Sequence, residues 1–197
     1  MNSDSFRSER LNGMAGERPV DTLCERFVLD KDHSALLPVC TGLREGRLSL
    51  LQVVDALGPY LTHAETNVRL RGTLLLSSVV EHCVSKFNEK EMVVICKFYK
   101  EKLKDHYTLL PAILQGFLCL SVSPLLPKGL AVDILKALFC EVQVQSLIQV
   151  DRRSIFSIIA NFMDMRRDGK RYNLCILLRF LSESFCKQNM IIWLIYN

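Results

Sequence analysis

The stretch ALGPYLTHAETNVRLRGTLLLSSVV, residues 56–80, decides how the rest of the chain is interpreted. It joins two apolar runs through the short polar turn Thr62-His63-Ala64. On both sides of the turn the apolar residues recur every three or four positions, which is the spacing of a helix with one buried face. The stretch therefore predicts two helices that pack against each other across a short connection.

The flanking residues define the limits of both helices. Ser49 is suited to cap the first helix, which we expect to end at about Leu61 with Pro59 bending or weakening its last turn. The second helix is expected from Glu65 to Cys83. The residues expected to face inward are Leu50, Val53, Val54, Leu57 and Leu61 in the first helix and Val68, Leu75, Leu76, Val79 and Val80 in the second.

Two more helix pairs follow at a regular spacing. Their helices are expected at residues 88–105, 108–121, 127–141 and 151–166, with Asn88 and Asp151 as caps and Ile155, Ile158, Ile159, Phe162 and Met163 forming the apolar stripe of the last helix. The pairs begin at Ser49, Asn88 and Pro127, a period of thirty-nine residues. Such a period is typical of HEAT and armadillo repeats. No strand pattern competes with it, so the sequence predicts an all-α solenoid of HEAT-like helix pairs.

The regions outside the three pairs are of different kinds. A helical cap is expected before them, with one helix at 20–29 and a short helix at 34–43 that Pro38 interrupts and Gly46 closes. The domain boundaries are expected as a polar, disordered tail over 1–18, a repeat domain over 19–168 and a divergent apolar tail over 169–197. The Asp168-Gly169 pair is expected to close a helix. The apolar end of the chain, IIWLIYN, suits a truncated or alternatively spliced product.

The composition limits the class of protein. The 197 residues include 25 basic and 21 acidic side chains, which gives a net charge of +4, and 49% of the residues are hydrophobic. Nucleic-acid modules usually concentrate more positive charge than this. The apolar stretch at 174–196 comes closest to a membrane span, but Arg179, Glu183 and Lys187 interrupt it.

Eight cysteines raise the question of a metal or a cluster. No two of them form a Cys-x-x-Cys pair, and the closest two, Cys175 and Cys186, are farther apart than the ligands of ferredoxin-type clusters. The polar N-terminus does not resemble a signal peptide, so we expect reduced thiols. Most lie in apolar helical runs and are expected to be small buried hydrophobic residues. We therefore expect no metal and no cofactor.

No catalytic set of residues stands out. His82 and Cys83 are neighbours, and neighbours on a helix point about 100° apart, which makes a poor pair of metal ligands. His63 is expected in a turn and His106 just past a helix end. There is no phosphate-loop motif. The chain is accordingly predicted not to be an enzyme.

The opening stretch resembles a HEAT repeat unit in several residues. The first helix ends in a leucine–proline turn around Pro59, and the second opens with Asn67-Val68-Arg69 and continues with the small residue Gly72. A small residue allows two helices to approach closely. The arginine of such units can reach backbone carbonyls or acids of a neighbouring turn, although a solvated surface arginine stays possible here. Pro59, Asn67, Arg69 and Gly72 are thus expected to be structural.

Three stretches, residues 54–80, 89–121 and 126–163, together resemble a narrower group. Their most specific elements are KFYKEKLKDH (97–106), LQG (114–116) and VQSLIQVDR (144–152). These stretches are similar to the N-terminal domain of the methyl methanesulfonate sensitivity nucleotide-excision-repair protein family. The resemblance extends from Asp21 to Met165. Members of the family are much longer, and from about Arg167 onward the sequence is expected to diverge from them.

The resemblance implies a fold and a function. Members of that family are HEAT-repeat adaptors of the cytosolic iron–sulfur protein assembly targeting complex. They deliver clusters to enzymes of DNA repair, replication and transcription, including the helicase of the general transcription and repair factor. They occur in the nucleus and cytoplasm, and some associate with the spindle. Their C-terminal repeats engage the other assembly subunits.

The expected partners are therefore proteins, with no membrane and no direct nucleic-acid contact. In HEAT stacks the second helices of the pairs line a face that commonly binds partners. Arg71, Gln115, Arg152 and Arg153 are the residues expected to contact an acidic or polar partner surface. Two alternatives stay open: a basic helical module that binds nucleic acid through its arginines, and a nonfunctional splice product.

Overall fold

The computed structural model describes residues 18–127 and 129–163, with no statement about the side chain of Met163. Within these residues the chain forms eight α-helices and no strand. The helices are α1 Pro19–Val28, α2 Leu36–Arg44, α3 Leu50–Leu61, α4 Thr66–Cys83, α5 Glu89–Lys102, α6 Leu110–Ser121, α7 Leu130–Glu141 and α8 Gln149–Met163. The expectations about both tails, and about the helix end at Asp168-Gly169, lie outside the described residues.

The helices alternate between two layers. Consecutive helices pack as pairs, and helices of the same layer also pack on one another: α1 on α3 and α5 on α7 in the first layer, and α2 on α4, α4 on α6 and α6 on α8 in the second. The second-layer contacts of α4 with α6 and of α6 with α8 are the most extensive. This arrangement confirms the predicted all-α, solenoid-like fold. The expected N-terminal cap is itself a helix pair, α1 and α2.

The second-layer helices α4 and α6 run parallel. The Ser77 hydroxyl of α4 donates to the Ala112 carbonyl of α6 over 2.6 Å. One turn further along both helices, the Gln115 amide donates to the Glu81 carboxylate over 2.5 Å. Contacts that advance in the same direction along two helices require them to be parallel. The connections between pairs therefore lie at one edge of the fold, and the turns within pairs lie at the other.

Two of the three predicted helix caps are correct. Ser49 accepts a hydrogen bond from the backbone N–H of Gln52 over 3.3 Å, and Asn88 accepts one from Glu91 over 3.0 Å. In both cases the side chain of the third residue, Gln52 or Glu91, accepts a hydrogen bond from the backbone N–H of the cap, so two N–H groups that lack a partner within the helix are satisfied. The prediction for Asp151 is wrong. Helix α8 already begins at Gln149, so Asp151 lies in its first turn.

The predicted start of the third pair is also wrong. Helix α7 begins at Leu130 after Gly129, two residues later than the period of the first two pairs requires. Gly129 has φ +92°, a left-handed conformation that a residue with a side chain rarely adopts. The turn at this glycine therefore separates Pro127 from the helix that it was expected to open.

The prolines within the helices cause less disruption than expected. Pro38 lies in the first turn of α2, which continues without interruption from Leu36 to Arg44. The first four N–H groups of a helix have no acceptor within it, so a proline there removes no bond. The interruption predicted at Pro38 is therefore wrong. Pro59 does lie inside the last turn of α3, as expected, and it is exposed.

One hydrophobic core continues through the four pairs. All the residues predicted to face inward in α3 and α4 are buried except Val54, which is half-buried. In α8 the stripe of Ile155, Ile158 and Ile159 is buried, and Phe162 is partly buried against it. No helix in the described part of the chain has the length and apolar character needed to cross a membrane.

Candidate interaction surfaces

Arg69 joins two neighbouring helix pairs. Its guanidinium forms two bonds with the Asp105 carboxylate, which lies just past the end of α5, over 3.0 and 2.7 Å. It also donates to the carbonyls of His63 and Ala64, in the turn before α4, over 2.9 Å each. Arg69 thus contacts both backbone carbonyls and a neighbouring acid, the two kinds of partner expected for this position.

Lys102 completes the same cluster. Its ammonium donates to Asp105 over 3.0 Å and to the Leu61 carbonyl at the end of α3 over 2.9 Å. The Asp105 carboxylate also accepts the backbone N–H of His106 over 2.7 Å. The side chains of Arg69, Lys102 and Asp105 are only 16–17% exposed. At this burial the cations hold the two pairs together and are poorly placed to bind a partner.

The charges in this cluster affect each other's protonation. The hydrogen bonds from Arg69, together with those from His106 and Lys102, hold the pKa of the Asp105 carboxyl well below its usual range, although burial opposes them. The same interaction with Asp105 raises the pKa of Arg69. Both groups are therefore ionised wherever the protein is folded near neutral pH.

A second internal cluster centres on Tyr99. Its ring is fully buried, packs edge-on to Phe117 with ring centres 5.4 Å apart, and its hydroxyl bonds to Ser77 over 2.8 Å. Because the Ser77 hydroxyl donates to a carbonyl of α6, it accepts from Tyr99. A Cβ atom on Gly116 would lie 2.5 Å from atoms of the Tyr99 ring. Because Gly116 has no side chain, it leaves the space on α6 that the ring of Tyr99 from α5 occupies.

Gly72 plays a similar but looser role. A Cβ atom there would lie 3.3 Å from Leu61 and from Tyr60, both at the end of α3. Contacts of this length are tight but permit a small adjustment. The small residue thus allows α4 to approach α3 closely. The other residues expected to be structural, Pro59 and Asn67, are exposed, and their structural role stays a prediction.

Two of the four residues expected to bind partners have partners within the fold. The half-buried Arg71 donates to the Val28 carbonyl at the end of α1. Gln115 is half-buried and donates to Glu81 of the neighbouring helix. These bonds stabilise the contacts of α4 with α1 and α6. They do not favour the idea that either side chain is free to bind another protein.

The other two residues lie at the start of α8. Arg153 is exposed and Arg152 is half-buried. No described acid forms an ion pair with either guanidinium. Just before them, Ile148 and Val150 are 66% and 65% exposed, although both are aliphatic. The structure thus brings together two available arginines and two exposed aliphatic side chains.

The described cysteines are mostly buried and poorly suited to bind a metal. Cys24, Cys40, Cys83 and Cys96 are buried, whereas Cys119 is half-buried and Cys140 is exposed. Burial raises the pKa of the Cys24, Cys40 and Cys96 thiols to about 12, so the thiolates that metals require are disfavoured at neutral pH. In the described part of the chain no group of three potential ligands could hold a metal ion.

The sequence interpretation missed several residues that the structure makes important. Tyr99, Lys102 and Asp105 lie in the element 97–106 and Gly116 lies in LQG; these elements were singled out for the family resemblance, and the charges of 97–106 were interpreted as mainly a solvated outer face. A glycine within an apolar helical run was a usable signal of close packing. For Ile148 and Val150 no such signal existed, because aliphatic residues are usually buried.

The chain matches a family described as the Dos2-interacting transcription regulator of RNA-Pol-II, in the sequence model of its MMS19 N-terminal domain, over residues 54–182. The match extends past Arg167, where we expected the resemblance to end. That expectation is therefore wrong as far as residue 182.

Three relatives illustrate the similarity. The MMS19 nucleotide excision repair protein homolog of Mus musculus is 46% identical over 76% of this chain and 15% of its own length, and that of Homo sapiens is 44% identical over 74% and 14%. The MMS19 nucleotide excision repair protein of Drosophila melanogaster is 31% identical over 57% and 12%. The similar region thus makes up about 15% or less of these curated relatives.

Proposed function

The chain belongs to the MMS19 family, and from that membership we propose that it is a non-enzymatic adaptor in the maturation of iron–sulfur proteins. Its partners are recipient enzymes of DNA repair, replication and transcription, such as the helicase of the general transcription and repair factor. It acts in the nucleus and cytoplasm and at the spindle. The other assembly subunits bind C-terminal repeats of the longer family members, outside the region that this chain matches.

The observation that supports the proposal most is the identity of 46% to a nucleotide excision repair protein homolog across most of the chain. The architecture agrees with an adaptor, because stacked helix pairs offer an extended surface whose shape is set by internal packing. The described polar clusters fit the same role. The Arg69–Asp105 and Tyr99–Ser77 contacts fix one pair against the next, and neither cluster resembles a catalytic site.

The nucleic-acid alternative has less support. Seven cations of the described residues are in ion pairs, among them Arg69 and Lys102 with Asp105, Lys100 with Asp133 and Lys104 with Glu141. Paired cations release fewer counterions from DNA and contribute little to its binding. An adaptor should bind duplex DNA weakly at physiological salt, with little dependence on salt concentration.

The proposal is tested by capture of the tagged, full 197-residue chain from nuclear and cytoplasmic extracts under reducing conditions, with iron–sulfur repair enzymes quantified by mass spectrometry. We expect these enzymes to be enriched over a tag-only control, and we expect the purified chain to contain no stoichiometric iron. A variant with a disrupted fold, Gly116→Leu, should lose them. If chaperones alone are recovered, or if iron is bound stoichiometrically, the adaptor role is wrong.

A further inference from the structure

The three elements that are most specific to the family resemblance lie in different surroundings. The elements 97–106 and 114–116 provide Tyr99, Lys102, Asp105 and Gly116, all of which have contacts inside the fold. The element 144–152 instead places Ile148 and Val150 in solvent, at 66% and 65% exposure. Contacts inside the fold therefore explain the residues named in the first two elements, but they do not explain the exposed aliphatic residues of the third.

Each exposed aliphatic side chain of this element shares a face of α8 with an arginine. Ile148 and Arg152 are four residues apart, and the backbone N–H of Arg152 donates to the Ile148 carbonyl over 3.1 Å. Val150 and Arg153 are three residues apart. Residues three or four apart on a helix are neighbours on its surface, so each arginine lies beside an exposed aliphatic side chain at the start of α8.

Arg152 and Arg153 have no ion pair with a described acid. The described acids nearest to them in the sequence, Glu141 and Asp151, are paired or buried, and so is Asp105. Asp105 bonds with Arg69 and Lys102, and Glu141 pairs with Lys104 over 3.5 Å. Asp151 is only 9% exposed, and burial raises its pKa, so its charge is shielded from an approaching ligand. An anionic ligand would meet little repulsion here.

We propose that the turn-edge surface, formed by Ile148, Val150, Arg152 and Arg153 at the start of α8, binds an acidic peptide segment of a partner protein that also carries aliphatic or aromatic anchors. The inference rests on the proposed adaptor function and names the chemistry of its partner. Arginine is among the side chains that contribute most to protein interfaces. The exposed aliphatic residues favour a peptide over a nucleic acid, because they gain nothing from a phosphate backbone but bury apolar area against apolar anchors.

The test is selection of a random sixteen-residue peptide library on the immobilised full chain at physiological salt. Enriched peptides should combine Asp or Glu with Leu, Ile, Phe or Trp. An individual enriched peptide should bind about tenfold or more weakly to the Arg152→Glu, Arg153→Glu double variant and to the Ile148→Ser, Val150→Ser double variant. No enrichment, enrichment of basic peptides, or unchanged binding to both variants would overturn the proposal.

Matched controls come from other faces of the molecule. Leu51 is an aliphatic residue of α3 that is 67% exposed, and Lys90 is an exposed cation of α5. The variants Leu51→Ser and Lys90→Glu change the same kinds of chemistry elsewhere and should leave binding of the peptide unchanged. An equal loss of binding in these controls would contradict a role for the turn-edge surface.

Two other occupants are distinguished by the same variants. If the surface is covered by another segment of this chain, the Ile148→Ser, Val150→Ser variant will melt several degrees lower than the Leu51→Ser variant, and the proposal is wrong. If the surface binds nucleic acid, the arginine variant will lose affinity for a duplex DNA probe in a strongly salt-dependent manner. Acidic peptide binding without capture of iron–sulfur enzymes would instead overturn only the adaptor role in cluster delivery. Capture that survives both variants would overturn only the turn-edge surface.

Discussion

Asp105 and Asp151 lie near the starts of neighbouring second-layer helices, in opposite surroundings. Asp105 precedes α6 and receives bonds from Arg69, Lys102 and the backbone of His106. Asp151 is in the first turn of α8, is about as buried as a core residue, and has no ion pair with a described cation. The pKa of Asp105 is lowered by its partners, whereas the pKa of Asp151 is raised by burial.

Asp105 thus lies in a region whose internal contacts stabilise the fold, whereas Asp151 lies in a region with exposed side chains. Asp105, Arg69 and Lys102, together with the buried Tyr99, join neighbouring pairs, and Gly72 and Gly116 let the helices within each pair approach closely. Around Asp151, arginines and aliphatic side chains face outward. A solenoid needs tight junctions between its repeats, because each repeat is stabilised mainly by its neighbours. Substitutions should therefore have large effects on stability at the first region and small effects at the second.

The largest effect is expected for Gly116→Leu. The added side chain must displace the ring of Tyr99, which is fully buried and held by its hydrogen bond to Ser77. Overpacking of a rigid site should lower the free energy of unfolding by about 3 kcal/mol or more. Urea denaturation followed by circular dichroism measures it. Gly58→Ala is the control: no atom lies within 4 Å of its Cβ position, so stability should stay the same or rise slightly.

Asp105→Asn should be the next most damaging change. It removes the charge that pairs with Arg69 and Lys102 and should lower the free energy of unfolding by about 2–3 kcal/mol at neutral pH. The pKa of Asp105 is lower in the folded protein, so this stabilisation is present above the unfolded value of about 3.9 and is lost as the pH falls through the folded value. The urea midpoints of the variant and of the original chain, measured at several pH values, should therefore converge in acid.

The control for this change is Glu45→Gln. Glu45 forms an ion pair with Arg47 in which both side chains are more than half exposed. Exposed pairs of this kind contribute little to stability, so the variant should unfold almost like the original chain. If Glu45→Gln and Asp105→Asn had equal effects, the junction would not be the stabilising region that we describe.

Gly72→Leu should have an intermediate effect. The neighbouring atoms of Tyr60 and Leu61 would lie 3.3 Å from the new Cβ, which is less severe than at Gly116. The remaining atoms of leucine still have to displace the end of α3, and we expect a loss of roughly 1–3 kcal/mol. An unchanged thermal midpoint would contradict the close approach of α3 and α4. A larger loss of stability than that caused by Gly116→Leu would show that the helix contact at Gly72 is the tighter of the two.

The smallest effect, and one of opposite sign, is expected for Asp151→Asn. Burial raises the folded-state pKa of Asp151, so the folded protein favours the protonated acid. The stability that goes with this protonated form is present below the unfolded pKa and is lost as the pH rises through the folded value. At neutral pH the variant should be slightly more stable than the original chain. The advantage should disappear in acid. Thermal melts at several pH values measure the difference, and destabilisation at neutral pH would show that Asp151 has a stabilising partner.

Much of the fold could be predicted because the relevant signals are local. The apolar spacing in residues 56–80 identified both helices, and Ser49 and Asn88 identified two caps, since capping depends on residues only three positions apart. The third pair was misplaced for a local reason as well. A left-handed glycine at Gly129 delays α7, and nothing in the spacing of prolines indicated this turn. Within the described residues, the expected ends of the other helices differ from the structure by at most a few residues.

The candidate surface was only partly predictable. Arg152 and Arg153 were chosen because they lie on the second helix of a pair, and neither forms an ion pair with a described acid. Arg71 and Gln115 were chosen by the same reasoning but bond within the fold, to Val28 and Glu81. Their partners are far away in the sequence, and a single sequence contains no signal for contacts between helices that are distant in the chain.

The sequence by itself therefore determined the helical class, the paired arrangement, most of the buried stripe and the family, because these depend on periodicity and short motifs. The tertiary structure alone decided which charges are used inside the molecule and which face outward. It placed Asp105 beside Arg69 and Tyr99 against Gly116, and it left Ile148 and Val150 in solvent. The reason is that burial and ion pairing depend on which helices stack against each other, and stacking is a property of the whole core.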